Sequence, residues 1–263
     1  MSKNLAITIK PDAIFIADSH WFDKALLQNS LEVSNGDSKD YTHKDLPSFL
    51  QSLDCSQVFL MGDIAQVLVG NIKSSAQSNH RLLMAIELLS QRSEVFWFEG
   101  NHDFALQSLQ TLLPNVCLIP RKRQPLMATF NDKSVSLAHG DLFLNLRYKV
   151  YIGVLNSAFG HAFVKVIDKV CLGKLYKALE QKIVRKKIYP FVGGVESFCE
   201  KRLALYQRYF AKIGVNMPQV IVEGHFHLNK RIIKNEVLYV CLPAFCEKNE
   251  TLCFNTLLNR DSL

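Results

Sequence analysis

Five short motifs hold the residues of this chain best equipped for chemistry. They are Asp18-Ser19-His20, Gly62-Asp63, Gly100-Asn101-His102-Asp103, His139-Gly140-Asp141 and Gly224-His225-Phe226-His227. Their side chains offer oxygen or imidazole nitrogen, and none offers thiolate. Imidazole mixed with carboxylate suits zinc, iron or manganese. Asp18 and His20 are alternate residues at a strand end, face one side and can hold one ion. His225 and His227 share that spacing and can divide their rings between two ions. Asp63 has two oxygens, enough to bridge such a pair. Two ions about 3.5–4 Å apart can clamp a phosphoryl group during in-line displacement. Each motif alone is weak, because Asp-x-His recurs by chance and Asn and Asp also serve turn geometry. Five in this order, each directly after an apolar run, point to a two-metal hydrolytic site.

The apolar runs are the elements that must hold these residues. Residues 13–17 (AIFIA) lead into Asp18, 58–61 (VFLM) into Gly62, 95–98 (VFWF) towards Gly100, and 220–223 (VIVE) into Gly224. Residues 135–138 (VSLA) precede His139. Runs of β-branched and aromatic residues closed by Gly or Asp predict buried strands. Leu82, Leu83, Ile86 and Leu89 recur at helical spacing and predict a helix over 80–92, with a shorter one over 45–53. Residues 230–234 and 237–242 read as a hairpin around Asn235-Glu236. Strands alternating with helices make an α/β layered domain. A rigid sheet can then hold several strand-end loops against one point.

The chain has 263 residues, 48% hydrophobic, enough to bury a full core and too apolar for disorder. Its longest charge-free stretch in the middle, 150–164, falls short of the roughly 20 apolar residues of a membrane span. The opening MSKNLAITIKPD has no cationic start followed by an apolar run, so secretion is not expected. Seven cysteines without a CxxC pair fit reduced thiols of a cytoplasmic protein. Residues 29–44, rich in Ser, Asn, Asp and Gly, read as a long loop.

The net charge of +7 is unevenly placed. Residues 144–213 hold 14 Lys and Arg against 4 Asp and Glu, a balance of +10, which leaves −3 for the remainder. Apolar residues recur there every three to four positions, from Val164 through Ile167, Val170, Leu175 and Leu179 to Ile183, so amphipathic helices are expected. The predicted organisation is a core of 1–143 and 214–263 with a basic helical cap inserted at 144–213. Positive charge alone would also suit a nucleic-acid-binding module. The segment shows no interleaved base-stacking pattern of the kind single-strand binders use, so no nucleic-acid partner is expected.

The order DxH, GD, GNHD, HGD, GHxH resembles the calcineurin-like metallophosphoesterase superfamily over nearly the whole chain. That resemblance implies a two-sheet sandwich flanked by helices around a dinuclear site. It implies that Asp18, His20 and His227 hold one metal and Asn101, His139 and His225 the other, with Asp63 between them. His102 would then stabilise or protonate the leaving oxygen, assisted by Asp63 or Asp103. Within the superfamily the chain is most similar to the UDP-2,3-diacylglucosamine pyrophosphohydrolases of lipid A synthesis. Gly62-Asp63 with Gly70, Asn79-His80-Arg81 opening a helix, His139-Gly140-Asp141 and the basic insertion carry that likeness. It implies two Mn²⁺ ions and a lipid-linked UDP-sugar cleaved to UMP and 2,3-diacylglucosamine 1-phosphate. It also implies a cytoplasmic enzyme, peripheral on the cytoplasmic face of the inner membrane, with no obligate protein partner.

The substrate-binding candidates are Asn79, Arg81, Arg147, Lys149, Arg185 and Arg202 for polar groups. Phe159 and Phe163, with Leu155, Val164, Ile167 and Tyr176, are candidates for acyl chains. Two positions depart from the lipid A pattern: His102 stands where that family usually has Arg, and Gln66 where it usually has an acid. A soluble phosphatase or nucleotide pyrophosphatase is the alternative these departures leave.

Overall fold

The computed structural model describes residues 7–24, 45–144, 160, 165–166, 168–171, 173–184, 193–248 and 250–254. The strands in chain order are β1 (Ile7–Thr8), β2 (Ile14–Ile16), β3 (Gln57–Leu60), β4 (Leu68–Val69), β5 (Glu94–Phe98), β6 (Asp103–Phe104) and β7 (Cys117–Ile119). They continue with β8 (Leu126–Phe130), β9 (Lys133–Ala138), β10 (Val220–Glu223), β11 (Lys230–Lys234), β12 (Val237–Cys241) and β13 (Leu252–Cys253). The helices are α1 (Leu46–Ser52), α2 (Lys73–Ser78), α3 (His80–Ser90), α4 (Lys174–Val184), α5 (Val195–Lys212) and α6 (Phe245–Lys248).

One sheet runs β13-β2-β3-β5-β7 and the other β1-β8-β9-β10-β12-β11, while β4 and β6 form a small pair. In the first, β2, β3, β5 and β7 are all parallel, and their sequences are correspondingly apolar on both faces. Their inner faces carry Phe15, Phe59 and Phe96, stacked at 4.5 and 4.9 Å between centroids. These rings meet Phe130, Val135, Leu137, Val220, Val222 and Val240 of the second sheet. Each such side chain contributes about 1.5–3 kcal/mol by leaving water. On the far side of the first sheet, α1 and α3 bury Leu46, Leu50, Leu82, Ile86 and Leu89 over Val58, Leu60, Val95 and Trp97. The two-sheet sandwich flanked by helices expected from the sequence is the observed fold.

The helices over 45–53 and 80–92 form with ends trimmed by one or two residues. The hairpin of β11 and β12 turns at Asn235 and Glu236, both with positive φ (50° and 64°), as a tight two-residue turn requires.

The expected cap needs a correction. α5 lies inside 144–213, yet it packs on the second sheet, with Cys199, Leu203, Tyr206 and Phe210 against Ile221, Tyr239 and Cys241. Because β9 and β10 are parallel neighbours, a crossover must join them, and α5 within it covers β10 and β12. It therefore belongs to the core layers. α4 docks elsewhere, beside α2: Tyr176 donates to the Val67 carbonyl at 2.8 Å and the Gln66 amide to that of Ile183 at 3.4 Å.

Five motif-bearing loops follow β2, β3, β5, β9 and β10. Parallel strands point their carboxyl ends the same way, so these loops gather at one edge of the sandwich.

Candidate metal centre

Backbone bonds zip the loops together before any side chain is considered. Asp18 N–H donates to the Gly62 carbonyl (3.1 Å), His20 N–H to that of Asp63 (2.9 Å), and Gly224 N–H to that of His139 (2.8 Å). Asp18, His20, Asp63, His225 and His227 all have φ between 45° and 67°. Left-handed backbone at non-glycine residues is uncommon and concentrates where a site over-determines it. Gly62 makes the approach of His139 possible: its φ is 92°, and a Cβ there would sit 2.5 Å from His139 Nδ1.

The side chains converge. Three groups offer ligand atoms within 4.8 Å of one another: Asp18, His20 and His227; His20, Asp63 and His102; Asp63, His139 and His225. Asp63 and His20 each belong to two of them, so the groups form one continuous cluster. Asn101 joins it, with Oδ1 3.4 Å from His139 Nε2.

Protons can be placed from fixed acceptors. His139 Nδ1 lies 2.9 Å from the Met61 carbonyl, so it carries the hydrogen and Nε2 faces the cluster. There Nε2 meets His225 Nδ1 at 3.2 Å and Asp63 Oδ2 at 3.5 Å. His102 Nδ1 donates to the Gln66 carbonyl at 2.7 Å, which leaves its Nε2 free. His227 Nδ1 donates to Glu247 Oε1 at 3.0 Å, and its Nε2 lies 3.5 Å from Asp18 Oδ1.

Burial keeps His20 and His225 neutral, pushing them down to about 4 and about 3. For His139, burial opposes protonation, but the charge of Asp63 outweighs it and the ring is held well above its ordinary range. For His227, burial is likewise outweighed by the bond to Asp18, then by Glu247, and the ring rises to about 9. Burial also opposes ionisation of Asp18 and Asp63, yet the neighbouring imidazoles hold both carboxyls below the usual range. His20 and His225 are thus neutral rings beside ionised carboxylates, while His139 and His227 hold protons that a bound cation would displace. Two buried atoms in the cluster, Asp18 Oδ1 and His20 Nδ1, have no hydrogen-bond partner. Buried polar atoms are normally satisfied, and a cation would supply the partner these two lack, Asp18 Oδ1 having only the 3.5 Å approach of His227 Nε2.

Several expected roles change. Asp103 is fully buried and accepts from the N–H groups of Asp63 (2.9 Å), Gly100 (2.9 Å) and Ile64 (2.7 Å) and from Trp97 Nε1 (3.1 Å). Burial and the charge of Asp63 push it up to about 7, while those donors act the other way. It fixes the loops rather than assisting the His102 ring, whose recorded partner is the Gln66 carbonyl. Asp63 Oδ1 takes the backbone N–H of His102 at 2.8 Å, so it holds the loop as well as facing the ring.

Asn79 is buried at the joint of α2 and α3, bonded to the carbonyls of Val67 and Ser75 and to Tyr176, and is thus a structural residue. Tyr176 is buried with it and is unavailable to an acyl chain. Arg202 is 3% exposed and spent on Glu223, which removes it from the phosphate-binding candidates. Arg81 is half-exposed, 3.0 Å from Asp45 and 3.5 Å from Asp23. Arg147, Lys149, Phe159, Phe163 and Arg185 lie outside the described residues, as do Leu155, Val164, Ile167 and the 29–44 loop. The supporting residues Gln124, Glu223 and Glu247 stand in no motif, and Gln66, which departs from the lipid A pattern, serves through its backbone carbonyl. Gln124 orients His139 by accepting its backbone N–H at 2.8 Å.

No protein-family model and no curated protein sequence matches the chain. Several solved structures are similar to the chain at low identity and low TM-score. A protein of unknown function from Aquifex aeolicus is 13% identical, with a TM-score of 0.43 over 93% of this chain and 96% of that one. Phosphopantetheinyl hydrolase from Mycobacterium tuberculosis is 11% identical, with a TM-score of 0.38 over 92% and 93%. A novel archaeal phosphodiesterase is 10% identical, with a TM-score of 0.37 over 90% and 86%. Likeness of this degree leaves function to the chain's own residues.

Proposed function

We propose that this chain is a metal-dependent phosphoester hydrolase of the calcineurin-like type. The observation that carries the reading is the convergence of five sequence-distant motifs into one cluster centred on Asp63 and His20. Asp18, His20 and His227 would hold one divalent cation and Asn101, His139 and His225 a second, with Asp63 shared. When bound, such a pair, Mn²⁺ by resemblance, supplies an acidified water and Lewis acidity towards a phosphoryl group. The chain's own contribution is orientation and proton handling. Carbonyl and carboxylate acceptors lock His139 and His227 with Nε2 turned inward. His102 sits at the rim with Nε2 free, placed to give a proton to the leaving oxygen.

The finer substrate reading is the pyrophosphate of UDP-2,3-diacylglucosamine, cleaved at the cytoplasmic face of the inner membrane. Its support is the +10 balance of 144–213 and the exposed Val166, Val170 and Leu179 among the exposed Lys165, Lys169 and Lys177. Such a surface suits an anionic, lipid-linked substrate. Among the described residues no helix is long and apolar enough to cross a membrane. The second reading, a soluble phosphatase or nucleotide pyrophosphatase, is favoured by His102 standing in place of Arg.

The test is a panel of the lipid-linked UDP-sugar, soluble nucleotides and bis-p-nitrophenyl phosphate with Mn²⁺, for wild type and Asp63→Ala. The account expects turnover by wild type, none by Asp63→Ala, and the same far-ultraviolet circular dichroism for both. Turnover of soluble substrates without the lipid-linked one selects the second reading. Equal turnover by Asp63→Ala overturns the metal account.

A further inference from the structure

Behind the metal cluster, on the outer face of the second sheet, one guanidinium touches the two histidine-bearing loops that follow β9 and β10. Arg202 Nε donates to Glu223 Oε1 at 2.7 Å, and Nη2 donates to Glu223 Oε2 at 2.6 Å and to the Gly140 carbonyl at 2.7 Å. Tyr206 completes the carboxylate from α5 at 2.7 Å, and the Tyr239 hydroxyl does so from β12. The guanidinium also lies over the Phe226 ring, 4.8 Å from its centroid. These contacts fall at telling places. Gly140 follows His139, Glu223 stands two residues before His225, and Phe226 lies between His225 and His227.

A buried ion pair is weak evidence for stability, since well-packed apolar residues of similar volume often do as well. A planar fork with fixed donor directions is instead suited to setting geometry. The two loops it joins also share the Gly224 N–H bond to the His139 carbonyl at 2.8 Å. We propose that the Arg202–Glu223 pair is a positioning device that sets the spacing of His139, His225 and His227, and through them the affinity of the metal centre. The inference rests on the metal-dependent reading and adds to it a residue pair outside every motif, Arg202 on α5 and Glu223 at the end of β10. α5 thereby becomes part of the site without contributing a ligand.

The test titrates metal-free protein with Mn²⁺ by calorimetry and records the electron paramagnetic resonance spectrum of the bound ions. Arg202→Lys keeps the charge and loses the fork. The double variant Arg202→Met with Glu223→Leu removes both charges together, so neither is left buried alone. Phe210→Leu, on the same helix, is the control for lost packing. The expected result is wild-type binding, about 10-fold or more weaker binding in both clamp variants with an altered spectrum, and wild-type affinity in Phe210→Leu despite a lower Tm. Wild-type affinity in the clamp variants, or equal weakening in Phe210→Leu, overturns the positioning role alone. A wild-type chain that binds no Mn²⁺ overturns the metal reading as well.

Discussion

Asp103 shows how the site is built at the scale of a residue. Its carboxylate takes N–H donors from the loops after β3 and β5 and from the indole of Trp97, so one side chain sets where Asp63 stands. In Asp103→Asn an amide group replaces one acceptor oxygen and faces N–H groups it cannot satisfy. The expected loss is about 2 kcal/mol or more, read by urea unfolding, with a loss of hydrolysis. A change below about 0.5 kcal/mol, the scale of an ordinary surface substitution, would contradict this role. His227 gives a pH signature. Its folded value of about 9 exceeds the ordinary 6.5, so its protonated bonds to Asp18 and Glu247 stabilise the metal-free chain fully below pH 6.5. That contribution fades as pH rises towards 9. The stability gap between metal-free wild type and His227→Gln should shrink over that window, and Mn²⁺ affinity of wild type should rise, because a ligand histidine must lose its proton. A gap that widens with pH would reverse the assignment.

Among elements, the strands before the motifs were legible in the sequence because four are continuous apolar runs closed by a glycine or an acid and the fifth, 135–138, alternates. β1, β7 and β8 were not. They are two to five residues long, and their pairing partners, Ala128 for Ile7 and Phe96 for Cys117, are distant or adjacent only in the folded sheet. The helical period of 144–213 was readable, but a period does not say which surface a helix covers. Arg202 looks the same in sequence whether it faces a phosphate or Glu223, and Asn79 the same whether it meets a ligand or the Val67 carbonyl. The candidate ligands were legible for the opposite reason: their types combine in short motifs whose positions at strand ends recur. Loop approach supplies the prediction at this scale. Gly62→Ala forces a Cβ against His139 and should lower activity about 100-fold, the scale of a small misplacement of reacting groups. Gly214→Ala has a similar positive φ (68°) with nothing within 4 Å, and should lose backbone stability while keeping activity. Equal activity in the two variants would show that the approach of Gly62 to His139 has no functional role.

For the whole molecule, the sandwich explains why residues 209 positions apart in sequence, from Asp18 to His227, share one centre. Two sheets with rigid aromatic packing between them give five loops a common edge, and α5 ties two of those loops from outside. The basic charge lies in the segment between β9 and β10, the same segment whose α5 reaches the loops after those strands through Arg202. The most direct measurement is anomalous diffraction at the manganese edge from crystals soaked in Mn²⁺. The account predicts two peaks flanking Asp63, one against Asp18, His20 and His227 and the other against Asn101, His139 and His225. Absence of any peak at Asp63, or density for manganese only on the exterior of the molecule, would contradict it.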